Sequence, residues 1–409
     1  MMKQALDAPG QTPPRQAWAG IGGSSLRGAL AKVLALDDFE ALARKRLPKA
    51  IYGYISGAAE RNLTRDDNRN AYDGWGFVPR VLRNVAHRSM RTSLFGVDYA
   101  APFGIAPMGI AALSTYQGDI VLAQAAEQAN IPFVLSGTSL TRMEDVAKAA
   151  PSSWFQAYLP GTPERIDALV SRVAAAGFRT LVVTVDIPVA GNRENIMRAG
   201  FSTPLRPGVK LAWDGVSHPR WLLGTFARTL LNGMPHFENS FAERGAPIVS
   251  RTVDRDFSQR DHFDWSHIRR IRERWKGDLV IKGIISPEDA VLARSHGADA
   301  VVLSNHGGRQ LDGAISPLRV LPAVVDAVGN MPVMIDGGVR RGTDVVKALA
   351  LGAKFVFVGR PFNYAAAVAS CPGVAHGISL LKAEIDRDLA MLGVTGLDEL
   401  SSSHLRRFY

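Results

Sequence analysis

LVIKGI (279–284), AVVLSN (300–305), PVMIDGG (332–338) and FVFVGR (355–360) follow one another at spacings of roughly twenty to thirty residues. Each is apolar on both faces and bounded by turn residues, the pattern of a strand covered on two sides. Helical patterns lie between them, Pro287–His296 and Thr343–Leu351 among them. The same alternation extends backwards through FGIAP (103–107), FVLSG (133–137), WFQAYL (154–159) and TLVVTVD (180–186), with helices predicted over Asp119–Ala129 and Pro163–Ala176. Eight apolar strands alternating with helices predict an α/β chain with a closed parallel (β/α)8 barrel, a TIM barrel, rather than an open doubly wound sheet.

Around this frame, residues 1–32 lack apolar periodicity and are rich in Gly, Pro, Gln and Ser, which predicts a mobile tail. A single barrel domain is expected over 33–409. Asp37 is placed as the N-cap of a helix running to Leu47, and Pro48 opens a second helix that Gly57 ends. One connection breaks the rhythm. About ninety residues separate the fourth strand from the fifth, and so long an excursion at the catalytic face predicts a lid, a binding loop or a disordered segment.

The 409 residues include 48 Lys and Arg against 38 Asp and Glu, a formal charge of +10. That excess favours anionic partners, but no basic run interleaves with aromatics, which argues against nucleic acid. The single cysteine, Cys371, excludes an internal disulfide and a cysteine-based zinc site. No stretch approaches the ~20 apolar residues of a membrane span, and the N-terminus carries no apolar signal core. The expectation is a cytoplasmic protein, attached at most to the inner face of a membrane.

Polar residues gather at the strands' C-terminal ends: Ser136, Gln156, Tyr158, Thr184, Asp186, Lys282, Asn305, His306, Asp336 and Arg360. A barrel places its chemistry at that edge. In VVLSNHGGRQLDG (301–313), His306 and Arg309 are separated by two glycines that let both side chains face one cavity. A neutral imidazole beside a guanidinium suits a substrate with an acidic proton and a carboxylate. Asp186 could orient His306 and stabilise its imidazolium, or could be an ordinary turn residue. Gly-Gly-Val-Arg in 332–353 and Gly-Arg-Pro in 355–361 end the last two strands, and together they read as a phosphate cradle. Lys282, inside an apolar run, requires an anionic partner: an electron-rich cofactor ring or a structural salt bridge.

SNHGGRQLD (304–312), DGGVRRGTDVVKALALGA (336–353), LPKAIYGYISGAAE (47–60), FGIAPMG (103–109) and WFQAY (154–158) resemble the FMN-dependent L-2-hydroxy acid oxidising enzymes. That family includes glycolate oxidase, L-lactate dehydrogenase, flavocytochrome b2 and (S)-mandelate dehydrogenase. The resemblance covers roughly residues 37–200 and 262–400. It implies an FMN cofactor and oxidation of a 2-hydroxy acid to a 2-oxo acid. His306 resembles the family's base, Asp186 its carboxylate partner, Arg309 and Tyr54 the clamp on the substrate carboxylate, and Arg193 a second nearby arginine. Tyr158 would bond the reacting hydroxyl, and Lys282 would lie near the flavin N1/O2 edge. Pro107, Met108, Gly109, Ser136, Gln156 and Thr184 match ring contacts. Asp336 matches the ribityl contact, and Gly338, Arg340, Gly359 and Arg360 match the phosphate site.

Thr138 and Ala190 stand where glycolate oxidase carries Trp and Leu, which implies a larger, mandelate-like substrate, with lactate the smaller option. Gly109 is Ala in glycolate oxidase and Gly in the mandelate dehydrogenase, which implies transfer of electrons to a quinone or carrier. A peroxide-producing oxidase is the other reading of the same site, and a non-catalytic flavin-binding protein a remoter one. Within an insertion over 201–262, HPRWLLGTFARTLLNGMP (218–235) clusters Trp221, Leu222, Leu223, Phe226, Leu230 and Leu231 with Arg220 and Arg228. This reads as a membrane-surface segment, or as one packed on the protein's own barrel or a neighbouring subunit. The family resemblance also implies a homo-oligomer, a tetramer.

Overall fold

The computed structural model describes residues 28–408 except 29, 160–161, 203, 207 and 251–259. Its centre is an eight-stranded parallel sheet: β1 Phe103–Ile105, β2 Val134–Ser136, β3 Trp154–Ala157, β4 Thr180–Thr184, β5 Asp278–Ile284, β6 Ala300–Leu303, β7 Val333–Asp336 and β8 Phe355–Val358. Sequential neighbours pair from β2 to β8, and β8 pairs with β1. A parallel bridge between Ile105 and Phe133 brings β1 against the start of β2 and closes the barrel.

Strand alternation explains how the site is built. Side chains two apart share a face, and the barrel interior is filled by Val134, Trp154, Val182, Val280, Ala300, Val302, Met334, Phe355 and Phe357. Leu181, Val183, Leu279, Ile281, Val356 and Val358 point to the helices instead. Two residues beyond the interior plug come Ser136, Gln156, Thr184, Lys282, Ser304 and Asp336, all buried. A dry plug thus carries a polar layer at the C-terminal end of the strands. At the other end, a hairpin of Thr92–Leu94 and Val97–Tyr99 adds Leu94 and Tyr99 to the plug.

Helices α1 Leu36–Arg46, α2 Lys49–Ser56 and α3 Leu63–Asp73 precede the barrel. Asp37 is not the cap of α1. Helix α1 starts one residue before it, and Asp38 turns back to accept the N–H groups of Leu34 and Ala35, at 2.8 and 3.0 Å. Helix α2 is flanked by Pro48 as its N-cap and Gly57 as its C-cap, so it begins one residue after the Pro48 start that the sequence predicts and ends at the predicted glycine. Of the tail expected over 1–32, residues 1–27 and 29 lie outside the described residues. Leu30 and Val33 are already buried in the core.

The C-terminal helix Arg360–Leu392 is long and apolar enough, by length and composition, to cross a membrane. No such stretch was expected from the sequence. Its interior is broken at Ala369–Ser370, and Phe362, Tyr364, Ile378, Leu381, Ile385 and Leu389 are buried among core side chains, as in a core helix of a globular barrel.

The excursion after β4 carries short helices, Glu194–Arg198, Val209–Val216, Pro219–Trp221, a π-helical Leu222–Ala227 and Arg228–Leu231, and then runs irregularly through 232–250 with an antiparallel bridge between His236 and Pro247. Trp221 is buried, donates its indole N–H to the Leu113 carbonyl at 2.7 Å and stacks on Phe226. These two rings of the expected surface stretch therefore face the protein itself. The exposed apolar surface of this region is contributed by Val209, Trp213, Val216, Leu223, Leu230, Leu231 and Met234. Part of it lies upstream of the stretch that the sequence singles out.

Candidate active site

A cavity of about 550 Å³ opens at the C-terminal ends of the strands, within the size range of small-molecule and cofactor sites. It is lined by Tyr54 from α2, by Pro107, Met108 and Gly109 after β1, and by residues from all seven of the other strand ends. Phe237, Arg260 and Asp261 line it from the excursion. These three carry no local motif, and only the three-dimensional return of the excursion places them there.

On one wall, His306 donates from Nδ1 to Asp186 Oδ1 at 2.9 Å, while its Nε2 lies 3.3 Å from the Tyr158 hydroxyl. With Nδ1 protonated toward the carboxylate, Nε2 keeps its lone pair toward the cavity. Burial holds the His306 pKa below the ordinary imidazole value, although Asp186 pulls it upward. Burial pushes the Asp186 carboxyl up, but His306 and Lys282 more than offset it and keep it below its usual value. Asp186 is thus a positioned carboxylate and not merely a turn residue. His306 adopts a left-handed backbone conformation, φ +58°, and its N–H is tied to Ser304 Oγ at 3.0 Å. Such strain persists where surrounding contacts fix it. Gly283 is required nearby, since a Cβ there would sit 2.7 Å from that of Asp186.

On the floor, Lys282 Nζ lies 2.9 Å from Asp336 Oδ2 and donates to Ser304 Oγ at 2.7 Å. Burial disfavours the ammonium, yet Asp336 and Asp186 outweigh it and raise its pKa. The salt-bridge alternative for Lys282 is therefore realised in the structure, with a carboxylate that also faces the cavity.

Arg309 and Arg360 share an unexpected role. Arg309 donates to the carbonyls of Tyr54, Ile55 and Gly57 at 2.8, 3.2 and 3.0 Å. Arg360 donates to Ile55, Gly57 and Gly307 at 3.1, 3.0 and 2.9 Å. Two guanidiniums thus satisfy the carbonyls that the end of α2 leaves open and oppose its negative dipole end. Burial lowers Arg309 to about 10 and Arg360 to about 9, so both remain charged at neutral pH. Arg193 holds the next turn through the Arg309 carbonyl at 2.9 Å and the Gln310 side chain. Arg340 pairs with Asp37 of α1 at 3.2 Å while lining the same cavity.

The sequence did not single out Asn68, which is buried and exchanges two 2.7 Å hydrogen bonds with Asn305. Ser304, equally silent in the motif, was findable from the two-residue alternation that places it between Val302 and His306.

Several buried polar atoms lack a partner in the structure: Gln156 Nε2, Thr184 Oγ1, Asp336 Oδ1 and Asp186 Oδ2. Each belongs to the strand-end layer. Buried polar groups are rarely left unpaired, so this layer is built around a polar group of matching size. Donor, acceptor and cationic side chains in one cavity fit a phosphorylated flavin.

A family model described as FMN-dependent dehydrogenase matches residues 43–407. The chain belongs to this FMN-dependent dehydrogenase family. It is 40% identical over 378 residues to (S)-mandelate dehydrogenase of Pseudomonas putida, an alignment covering 91% of this chain and 93% of that one. To L-lactate dehydrogenase of Caulobacter sp. strain K31 it is 38% identical over 382 residues, covering 92% and 99% respectively. A solved structure of (S)-mandelate dehydrogenase, described as a monotopic membrane protein, superposes with a TM-score of 0.84 at 38% identity, covering 92% of this chain and all of that one. As an FMN-dependent dehydrogenase, the chain is an oxidoreductase, and the barrel architecture agrees with that of its structural relative.

Proposed function

We propose that the chain oxidises an L-2-hydroxy acid to the 2-oxo acid, and that bulky or aromatic, mandelate-like acids are preferred, with lactate the smaller option. The observation that carries this reading is the Asp186–His306–Tyr158 series, whose imidazole Nε2 faces a cavity also lined by Arg309 and Arg193. FMN, when bound, supplies the two-electron acceptor. His306 takes the substrate proton on Nε2, and Asp186 stabilises the resulting imidazolium.

Arg309 spends three of its five N–H donors on α2, which leaves its Nε–H and one Nη2–H for a substrate carboxylate. Tyr54 and Arg193 complete the clamp. The Tyr158 hydroxyl, held protonated by burial that raises its pKa to about 12, bonds the reacting oxygen. Lys282 and Asp336 would hold the cofactor, with Pro107, Met108, Gly109, Ser136, Gln156 and Thr184 contributing the ring contacts and Gly338, Arg340, Gly359 and Arg360 the phosphate contacts. Ile187, Val189, Ala190 and Phe237 give the rest of the cavity an apolar wall that suits a ring.

The purified holoenzyme is expected to bleach when L-mandelate is added without oxygen, and to bleach more slowly with L-lactate. No bleaching with either acid overturns the reaction class. Slow recolouring in air supports transfer to a quinone or carrier. Fast recolouring with peroxide formation identifies an oxidase instead.

The exposed face of Val209, Trp213, Val216, Leu223 and Leu231, with exposed Arg206, Lys210 and Arg220 beside it, supports peripheral attachment to an anionic membrane. The inner face of the cell membrane is the site proposed, with the family's tetramer as the assembly. The double variant Trp213→Glu/Leu231→Glu is expected to stop co-sedimenting with phosphatidylglycerol vesicles while keeping its flavin. Undiminished co-sedimentation refutes the assignment of this face.

A further inference from the structure

Gln156 Oε1 accepts the backbone N–H of Gly137 at 3.3 Å, and because that N–H can only donate, the orientation of the Gln156 amide is fixed. Ser136 Oγ lies 3.2 Å from the same oxygen and must therefore donate its single proton to it. The Ser136 oxygen is left as an acceptor. It takes the N–H of Thr138 at 3.2 Å and, at 3.0 Å, faces the Thr138 hydroxyl. With the Ser136 proton already committed, Thr138 is the donor of that last bond. The protons run in one direction, from Thr138 to Ser136 to Gln156, and the Thr138 hydroxyl has none left to give.

What Thr138 Oγ1 presents to the cavity is thus lone pairs alone. The oxygen sits 2.3 Å from the point where a Cβ on Gly109 would stand, and the Tyr54 hydroxyl lies 3.3 Å from that same point. It therefore occupies the side of the cavity shared with the substrate clamp. Among the described residues, no donor is aimed at it.

We propose that Thr138 is a specificity-determining residue that accepts a hydrogen bond from a donor on the substrate's side chain, so that a 2-hydroxy acid with a hydroxyl on the carbon next to C2 is preferred over its 3-deoxy analogue. The inference rests on the 2-hydroxy acid reading and narrows it. A 3-deoxy substrate leaves the oxygen facing an apolar group, whereas a 3-hydroxy substrate supplies its missing partner. A 2,3-dihydroxy acid that also carries a ring would use the apolar wall at the same time.

L-glycerate and L-lactate differ by this one hydroxyl. The test is the ratio of their kcat/KM values in the FMN-loaded wild type and in Thr138→Val and Thr138→Ser, together with the dissociation constant of each acid read from the perturbed flavin absorbance before reduction. Thr138→Val replaces the acceptor by a methyl group and is expected to lower the glycerate-to-lactate ratio by about three- to tenfold, in binding as well as in turnover. Thr138→Ser keeps the acceptor and is expected to keep the ratio within about twofold. An unchanged ratio in Thr138→Val, or an equal fall in Thr138→Ser, overturns the inference and leaves the reaction class standing. Wild-type enzyme reduced by neither acid nor by L-mandelate overturns the reaction class and, with it, this inference.

Discussion

His306→Gln is expected to slow substrate-driven flavin bleaching by about ten-thousandfold, the upper end of what a positioned general base contributes. The imidazole is a proton acceptor at the cavity wall that is both neutral and oriented. Burial keeps its pKa low, Asp186 fixes its tautomer at 2.9 Å, and Nε2 faces inward. Glutamine keeps polarity and much of the volume but cannot accept a proton near neutral pH. Asp186→Asn tests the pair from the other side and is expected to cost about a thousandfold or more, because an amide can hold the imidazole in the wrong tautomer.

The pH dependence has a definite sign. The base acts when neutral, so kcat/KM rises with pH through the His306 pKa, and that acid limb lies below the ordinary imidazole value. Asp186 raises the pKa of His306. Removing its charge therefore moves the limb to still lower pH. A limb that moves upward in Asp186→Asn, or a His306→Gln enzyme within tenfold of wild type, would sink the assignment.

The parts of this site written in local sequence were legible, and the parts made by distant approach were not. Eight apolar runs predicted the strands because burial on both faces leaves no other use for them, and the polar residue two positions beyond each interior plug marked the functional layer. The helix boundaries shifted by a residue where capping chemistry competed: Asp37 and Asp38 both look like caps, and only the backward reach of Asp38 decides between them. Lys282 was correctly read as needing an anion, but Asp336, 54 residues away, could be identified only in three dimensions. Likewise, nothing local says that Arg309 and Arg360 converge on the end of α2. Trp221 shows the limit of amphipathic reading. Its stretch is apolar and basic as a membrane-surface segment would be, yet the indole N–H is spent on Leu113 and the exposed face includes Val209 and Trp213, outside the stretch.

Lys282→Met should destabilise the protein by about 3–5 kcal/mol, the cost of leaving one member of a buried ion pair behind. Asp336 is 8% exposed, and its Oδ1 already lacks a partner, so loss of the ammonium at Oδ2 strands a carboxylate in the floor of the cavity. Denaturant unfolding of the flavin-free protein measures this directly. The double variant Lys282→Met/Asp336→Asn removes both charges and should recover most of the lost stability, since neutral side chains of similar size need no counter-charge. Stability and chemistry then separate. If the lysine serves only the fold, the double variant regains FMN retention and bleaching together with its stability. If Lys282 and Asp336 also face the cofactor, as their place in the strand-end layer indicates, the double variant folds well but holds FMN weakly and reduces it slowly. The second outcome is the expected one, because a pair built solely for stability has no reason to lie in the wall of the cavity when the dry plug one layer below could hold the barrel together without any charge.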